Sequence, residues 1–312
     1  MRAQPSIRLE HQGICYSGYR AGQSPDTGVY PSAEQIEEDL EILVQRWRYI
    51  RLYDTGPHAE LVLAAIERMG LDLEVLLGAW LAAEVNNPGC PWDAHVSDEQ
   101  LAENVAINDA EVARLGELAR RFPGIVTSIA VGNEATVDWT AHLVPVERVI
   151  ELVRRARSDT GLPVTFCENH VPWTGKLDEL VPELDFISVH TYPVWEYRTI
   201  EEALEVNRAD VERIRARFPD VPVAITEAGW TTRSNGRGIE QDNAGGHLQT
   251  RYYDQLTTWG EEQGLRVYVF EAFDEPWKGS PDPDEPEKHW GLFTEDRRTK
   301  PVMHDLFPDL RP

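Results

Sequence analysis

Apolar positions along this chain gather into eight short runs separated by longer polar segments of helical period. The runs cover 13–19 (GICYSGY), 49–55 (YIRLYDT), 73–82 (LEVLLGAWLA), 125–134 (IVTSIAVGNE), 163–170 (PVTFCENH), 185–192 (DFISVHTY), 222–230 (PVAITEAGW) and 266–277 (RVYVFEAFDEPW). They are nearly continuous rather than alternating, which is the pattern of strands buried on both faces in a parallel sheet covered by helices. Helical periodicity fills the intervals. It runs from Ser32 to Trp47 with Ser32 and Gln35 spaced as a capping box, and from Pro57 to Met69 closed by Gly70. Further segments span Ser97 to Phe122, Val146 to Asp159 closed by Gly161, Thr199 to Phe218, and Gln241 to Gly264. A helix is expected between the remaining strands as well.

Eight strand–helix units in 312 residues predict a single-domain (β/α)8 TIM barrel over 1–312, with 1–10 as an N-terminal extension. A doubly wound open sheet is the competing α/β fold, but no glycine-rich phosphate turn follows the first run. Two separate domains would need a linker, and no Pro/Gly/Ser-rich stretch or change of composition supplies one.

Composition narrows the partners. A hydrophobic content of 41% can build a core without disulfides or metals, so Cys15, Cys90 and Cys167, which lack CxxC spacing, read as ordinary buried or partly buried thiols. A formal charge of −24 repels nucleic acid and anionic lipid, and no run of 18 apolar residues is present. A neutral partner and a monomer are therefore expected. The opening MRAQPSIRLEHQ holds no apolar run of signal-peptide length, so the expected location is cytoplasmic, or exported after loss of a signal. No cofactor motif is seen. His11, His142, His170 and His190 have no ligand spacing, and the acidic stretch 280–289 lacks the DxDxDG pattern and reads as a solvated loop. His190 reads as a barrel histidine hydrogen-bonded near the site.

In barrels of this kind the chemistry sits at the carboxyl ends of the strands. The runs here end in Tyr53-Asp54, Trp80, Asn133-Glu134, Glu168-Asn169, His190 with Tyr192, Glu227, and Glu271 to Lys278. A lone glutamate there can simply accept backbone N–H bonds or pair with arginine. Two at the same height, Glu134 and Glu227, suit glycoside cleavage, in which one carboxyl protonates the leaving oxygen and the other attacks the sugar or activates water. Trp80, Trp139, Trp173, Trp195, Trp230 and Trp277 also fall on or just after strand ends, whereas Trp47 and Trp259 lie inside helices. Aromatic faces at a barrel mouth suit the C–H faces of a carbohydrate chain. Any one of them could instead pack beneath a loop.

These motifs resemble glycoside hydrolase family 17, within the clan of retaining (β/α)8 glycosidases: VGNE at 131–134, ITEAGW at 225–230, IRLYDT at 50–55, HTYPVW at 190–195, and FEAFDEPWK with EKHWGLF across 270–293. The resemblance runs from GICYSGY to HWGLF and is as close to bacterial members as to plant ones. It implies a β-1,3-glucanase, or a β-1,3-glucan glucanosyltransferase, acting on laminarin-like β-glucan with retention. It implies Glu134 as general acid/base, Glu227 as nucleophile, and Glu275, Lys278 and Glu287 as a supporting charged cluster. Tyr53, Asn133 and Tyr192 match residues lining the subsite around the cleaved bond, and Trp195, Trp230 and Trp277 are expected to contact substrate. Asp274 stands where plant members have Asn, Pro276-Trp277 replaces a polar pair, and the loops at 83–97 and 278–289 differ. A glucan-binding protein without turnover is the alternative from another class.

Overall fold

Strands β1 (Gln12–Cys15), β2 (Tyr49–Leu52), β3 (Glu74–Ala79), β4 (Val126–Asn133), β5 (Val164–Asn169), β6 (Ile187–His190), β7 (Val223–Ala228) and β8 (Val267–Val269) form one parallel barrel in chain order in the computed structural model, which describes residues 10–92 and 95–311. The ring closes where β1 pairs with β8, Gln12 opposite Val267, while its other edge pairs with β2, Gly13 opposite Tyr49. An open doubly wound sheet is thereby excluded. All but residue 10 of the expected N-terminal extension lies outside the described residues.

Six α-helices are found among the described residues: α1 (Ala33–Leu43), α2 (Pro57–Met69), α3 (Asp98–Arg121), α4 (Val146–Thr160), α5 (Ile200–Arg217) and α6 (Gly246–Glu262). Their ends follow local chemistry. Ser32 and Gln35 form the expected capping box on α1, and Gly70 and Gly161 take left-handed conformations that stop α2 and α4. No α-helix joins β5 to β6. Pro172, Gly175 and Pro182 interrupt that segment, and short 3-10 turns at Pro172–Thr174 and Val181–Glu183 take its place. Helix α6 starts later than the periodicity suggests, because Gln241–Asn243 forms a separate 3-10 turn before the Gly245-Gly246 pair.

β1 and β8 both stop well short of the ends of their apolar runs. β8 stops at Val269, beyond which the backbone divides its bonds: Phe270 N–H donates to Ala228 and Ala272 N–H to Cys15 in the barrel, while Leu292 N–H donates to Glu271, Phe293 N–H to Ala272, and Asp274 N–H back to Phe293. β1 ends at Cys15, after which Tyr16 N–H still donates to Arg51. The residues that follow these two strands thus keep single bonds to the barrel in place of a regular ladder.

The seam is locked by an ion pair. Arg297 sends Nε and Nη2 to both carboxylate oxygens of Asp39 on α1, each at 2.6 Å, and donates to the Gly18 carbonyl while its guanidinium lies over the Phe273 ring. Both partners are essentially buried. Below them Trp47 stacks on Phe307, and Phe293 packs edge-on against both. A guanidinium left here without its carboxylate would keep its desolvation cost and lose its compensation. Asp39→Ala is therefore expected to lower unfolding free energy by about 3–5 kcal/mol in urea titrations; a loss below about 1 kcal/mol would show that Arg297 finds another partner.

Candidate active site

Glu134 and Glu227 come from opposite sides of the barrel, and each is delivered by an irregularity in its strand. The β4–β5 register shifts between Ala130 and Asn133, where Gly132 has φ 101° and a Cβ would lie 2.6 Å from the Phe166 ring. Glu134 follows at φ 46°, its N–H donating to Cys167. A non-glycine residue held in the left-handed region is costly and marks a functional constraint. The β7 register likewise shifts on both flanks near Glu227. An oxygen of Glu134 and an oxygen of Glu227 consequently lie within 4.8 Å of each other, with His190 between them.

Glu227 is the more enclosed of the two. Arg51 Nη1 donates to its Oε1 at 2.6 Å, Tyr53 Oη to the same oxygen at 3.0 Å, and Tyr192 Oη to Oε2 at 2.7 Å. Arg51 also donates through Nη2 to Asn133 Oδ1 at 2.5 Å, linking the Glu227 side of the cleft to the residue before Glu134. His190 Nδ1 faces Glu134 Oε1 at 2.9 Å and Glu227 Oε2 at 3.5 Å. The side chain of Glu134 is 30% exposed against 8% for Glu227, so Glu134 is the more open of the two carboxyls.

With this geometry in place, the comparison with known proteins is specific. A family model described as the BtgE/BtgC glycoside hydrolase domain matches residues 13–291. The chain belongs to that family. A glucan 1,3-beta-glucosidase of Arthroderma benhamiae is 24% identical over 91% of this chain and 88% of its own length. A putative glucan endo-1,3-beta-glucosidase of Aspergillus niger is 26% identical over 87% of this chain, which spans only 40% of that longer relative. Among solved structures, an endo-laminarinase from Formosa superposes with a TM-score of 0.82 at 26% identity, covering 97% of this chain and 88% of that one. A family 17 beta-1,3-glucanosyltransferase from Rhizomucor miehei shares the fold, with a TM-score of 0.72 at 22% identity over 96% and 97% of the two chains.

Within this BtgE/BtgC-type barrel the residues singled out from sequence divide into three groups. Tyr53, Asn133 and Tyr192 converge around Glu227 directly or through Arg51. Glu275, Lys278 and Trp277 form a second cluster after β8, in which Lys278 Nζ bridges Glu271 at 2.9 Å and Glu275, while Trp277 Nε1 and Ser17 Oγ donate to Glu275. Glu287 is half-buried near this cluster; the ion pairs of Lys278 among the described residues are with Glu271 and Glu275.

The tryptophans do not form one ring around the mouth. Trp230 is 1% exposed and donates Nε1–H to the Asn243 carbonyl, so its placement among substrate contacts is corrected: it packs in the core. Trp173 is buried too, bonded to Ser188. Trp195 is half-covered by Trp290, and Trp80 and Trp139 remain substantially open. Side chains that sequence reasoning passed over are Arg51 and Trp290. Arg51 did carry a signal, since an arginine between Ile50 and Leu52 in an apolar strand requires a buried carboxylate.

Among the described residues two groups of donor atoms could hold a cation by spacing alone, Glu134–His190–Glu227 and His170–Glu196–Asp210. Neither donor set fits well. Arg51 already occupies Glu227 in the first, and in the second His170 offers its two nitrogens to different carboxylates. The cysteines are free thiols, Cys15 and Cys167 buried and Cys90 partly so, as expected; in the acidic loop residues 281–284 are exposed but Glu285 and Pro286 are buried, so the stretch 280–289 is only partly the solvated loop expected.

Electrostatics separate the groups of the site. Burial works to raise the Glu227 pKa, but the charges of His190 and Arg51 and the Tyr192 bond overcome it and bring the carboxyl down to about 2. For His190 burial works to lower the pKa, and Glu227, Cys167 and Glu134 outweigh it, raising the imidazole to about 10. Arg51 Nη1 approaches His190 Nε2 at 3.2 Å, yet its two protons point to Thr226 O and Glu227, which leaves that approach a close contact between donors. Behind Glu134, burial and the Glu134 charge raise Glu168 to about 7 despite donors from Thr136 and Asn169.

The linkage signs follow. Glu227 contributes stability above its ordinary value of 4.5 and loses it as pH falls through about 2. His190 contributes below its ordinary 6.5 and loses it as pH rises through about 10. Both contributions are complete between pH 4.5 and 6.5. In proton NMR titrations His190 should stay charged through neutral pH, and Glu227→Gln should move its midpoint down toward 6.5; an unchanged midpoint would mean Glu227 is not what holds the proton.

Proposed function

We propose that this chain is a retaining glycoside hydrolase that cleaves β-1,3-glucosidic bonds of a laminarin-like glucan by double displacement, with Glu227 as nucleophile and Glu134 as acid/base. The single observation carrying this reading is the approach of the two carboxyls, with oxygens within 4.8 Å. Retaining enzymes hold the pair about 5–5.5 Å apart, whereas inverting ones leave about 6.5–9.5 Å for a water molecule. The choice of glucan and linkage is supported by the names of the relatives and of the Formosa neighbour, and by the exposed aromatic surface near Glu134.

In the first step the Glu227 carboxylate attacks the anomeric carbon while Glu134 gives its proton to the glycosidic oxygen. The C–O bond to the leaving sugar breaks, and a glycosyl ester to Glu227 forms. In the second step Glu134, now a carboxylate, takes a proton from water, whose oxygen displaces Glu227 and restores the β anomer. Arg51 and the two tyrosines favour both ends of this cycle, because their donors hold the free carboxylate in one orientation and stabilise it as it leaves.

A sugar hydroxyl in place of that water gives transfer instead of hydrolysis through the same two groups. On laminarin, Glu227→Ala should leave no measurable release of reducing ends, and Glu134→Ala should reduce release by about 10²–10⁴-fold. Added azide, small enough to enter the space left by the nucleophile, should yield an α-glycosyl azide from Glu227→Ala. Undiminished cleavage by that variant would remove Glu227 from the mechanism, and binding of laminarin without any release by the unaltered chain would identify a glucan-binding protein.

A further inference from the structure

Trp80 sits immediately after β3 and is 40% exposed, an unusual position for so large an apolar side chain. It is not loosely held. One side of its indole lies on the imidazole of His142, with ring centres 4.7 Å apart at 34°, and its backbone N–H donates to Glu111. His142 is fixed in turn: its Nε2 bonds to the Asn133 carbonyl at 2.8 Å and its Nδ1 meets the Thr140 hydroxyl at 3.1 Å. A carbonyl can only accept, so the proton is on Nε2, and burial lowers the imidazole pKa and favours this neutral form. The chain of contacts therefore runs Trp80, His142, Asn133, and then by one peptide bond to Glu134.

The loops carrying these residues are tied together. Glu84 N–H donates to Leu143, and Asn87 Nδ2 donates to the carbonyls of Asp138 and Thr140, bracketing the second exposed indole at Trp139. Asn104 and Asn108 on α3 hold the carbonyls of Ala83 and Ala82 from the other side. An aromatic face kept open on so rigid a support gains nothing for folding from its exposure, but it is pre-organised to receive a ligand.

The chemistry says which part of the glucan meets it. The acid must reach the oxygen of the departing sugar, so that sugar lies against the Glu134 side of the cleft, which is the side of the Trp80–His142 stack. The opposite side is enclosed by Arg51, Tyr53 and Tyr192 around Glu227. We propose that Trp80, held by His142, is the stacking platform for the first glucose ring on the leaving-group side. This rests on the assignment of Glu134 as acid. By microscopic reversibility the same face receives an incoming sugar when the glycosyl intermediate is transferred.

The test compares a substrate that has a leaving sugar with one that lacks it: laminarihexaose against β-laminaribiosyl fluoride, measured for the unaltered chain and for Trp80→Ala. The ratio of kcat/KM for laminarihexaose to that for the fluoride should fall at least about tenfold in the variant, equivalent to losing about 1.4 kcal/mol, and Trp80→Phe should recover most of it. Equal losses on the two substrates would overturn the proposal, since they would mean that Trp80 only supports the fold. Thermal unfolding checks the variant, and Trp80→Leu, which keeps apolar bulk without a ring face, carries the comparison if Trp80→Ala is unfolded. Failure of the unaltered chain to release fluoride or sugar would instead overturn the assignment of Glu134 and Glu227, and this proposal with it.

Discussion

A guanidinium buried in the middle of a barrel is the constraint around which the upper half of this molecule is arranged. Arg51 is 2% exposed and cannot give up its charge, so the fold must supply acceptors for it at short range. Glu227, Asn133 and the Thr226 carbonyl do so, from β7 and β4, two strands that are not neighbours. The cost of desolvating Arg51 and Glu227 separately is large; together, and with two tyrosine donors on the carboxylate, the cost is offset and the carboxylate is left with one orientation. His190 adds a second cation and couples this locked group to the more exposed Glu134.

The same logic recurs in the segment after β8. Glu271, Glu275 and Lys278 are all buried or nearly so, and two carboxyls cannot share one ammonium as equals. Burial raises Glu271, with the charge of Glu275 adding to it, while Lys278 overcomes burial and lowers Glu275, so the site pushes the two carboxyls apart in pKa. Asp274 next to it pairs with buried Lys300 at 2.6 Å. Around these charges Phe270, Trp290 and Tyr192 pack edge to face, which gives the wall behind Glu227 a rigid apolar lining.

Much of this was legible in the residues themselves, and for local reasons. A strand buried on both faces has to be apolar along its length, so eight such runs announced eight strands, and the polar residue at the end of each run marked the barrel mouth. Ser32 with Gln35, Gly70 and Gly161 set helix ends through backbone chemistry that acts within a few residues. The limits were local as well. Phe270 to Trp277 has strand-like composition but keeps only single bonds to the barrel, Phe270 N–H to Ala228 and Ala272 N–H to Cys15, while the Glu271 and Ala272 carbonyls accept from Leu292 and Phe293, some twenty residues away.

The sequence alone determined which carboxyls, tyrosines and tryptophans stand at the strand ends, since that depends only on where an apolar run stops. The tertiary structure decided which of them share a space. Trp80 directly follows β3 and Trp230 comes two residues after β7, and the first rests on His142 in the open while the second donates to Asn243 in the core, covered by Tyr252 of α6. Likewise no spacing along the chain could state that Glu134 and Glu227 approach within 4.8 Å. That distance is set by barrel closure and by the register shifts beside each glutamate, and these are properties of strands paired through space.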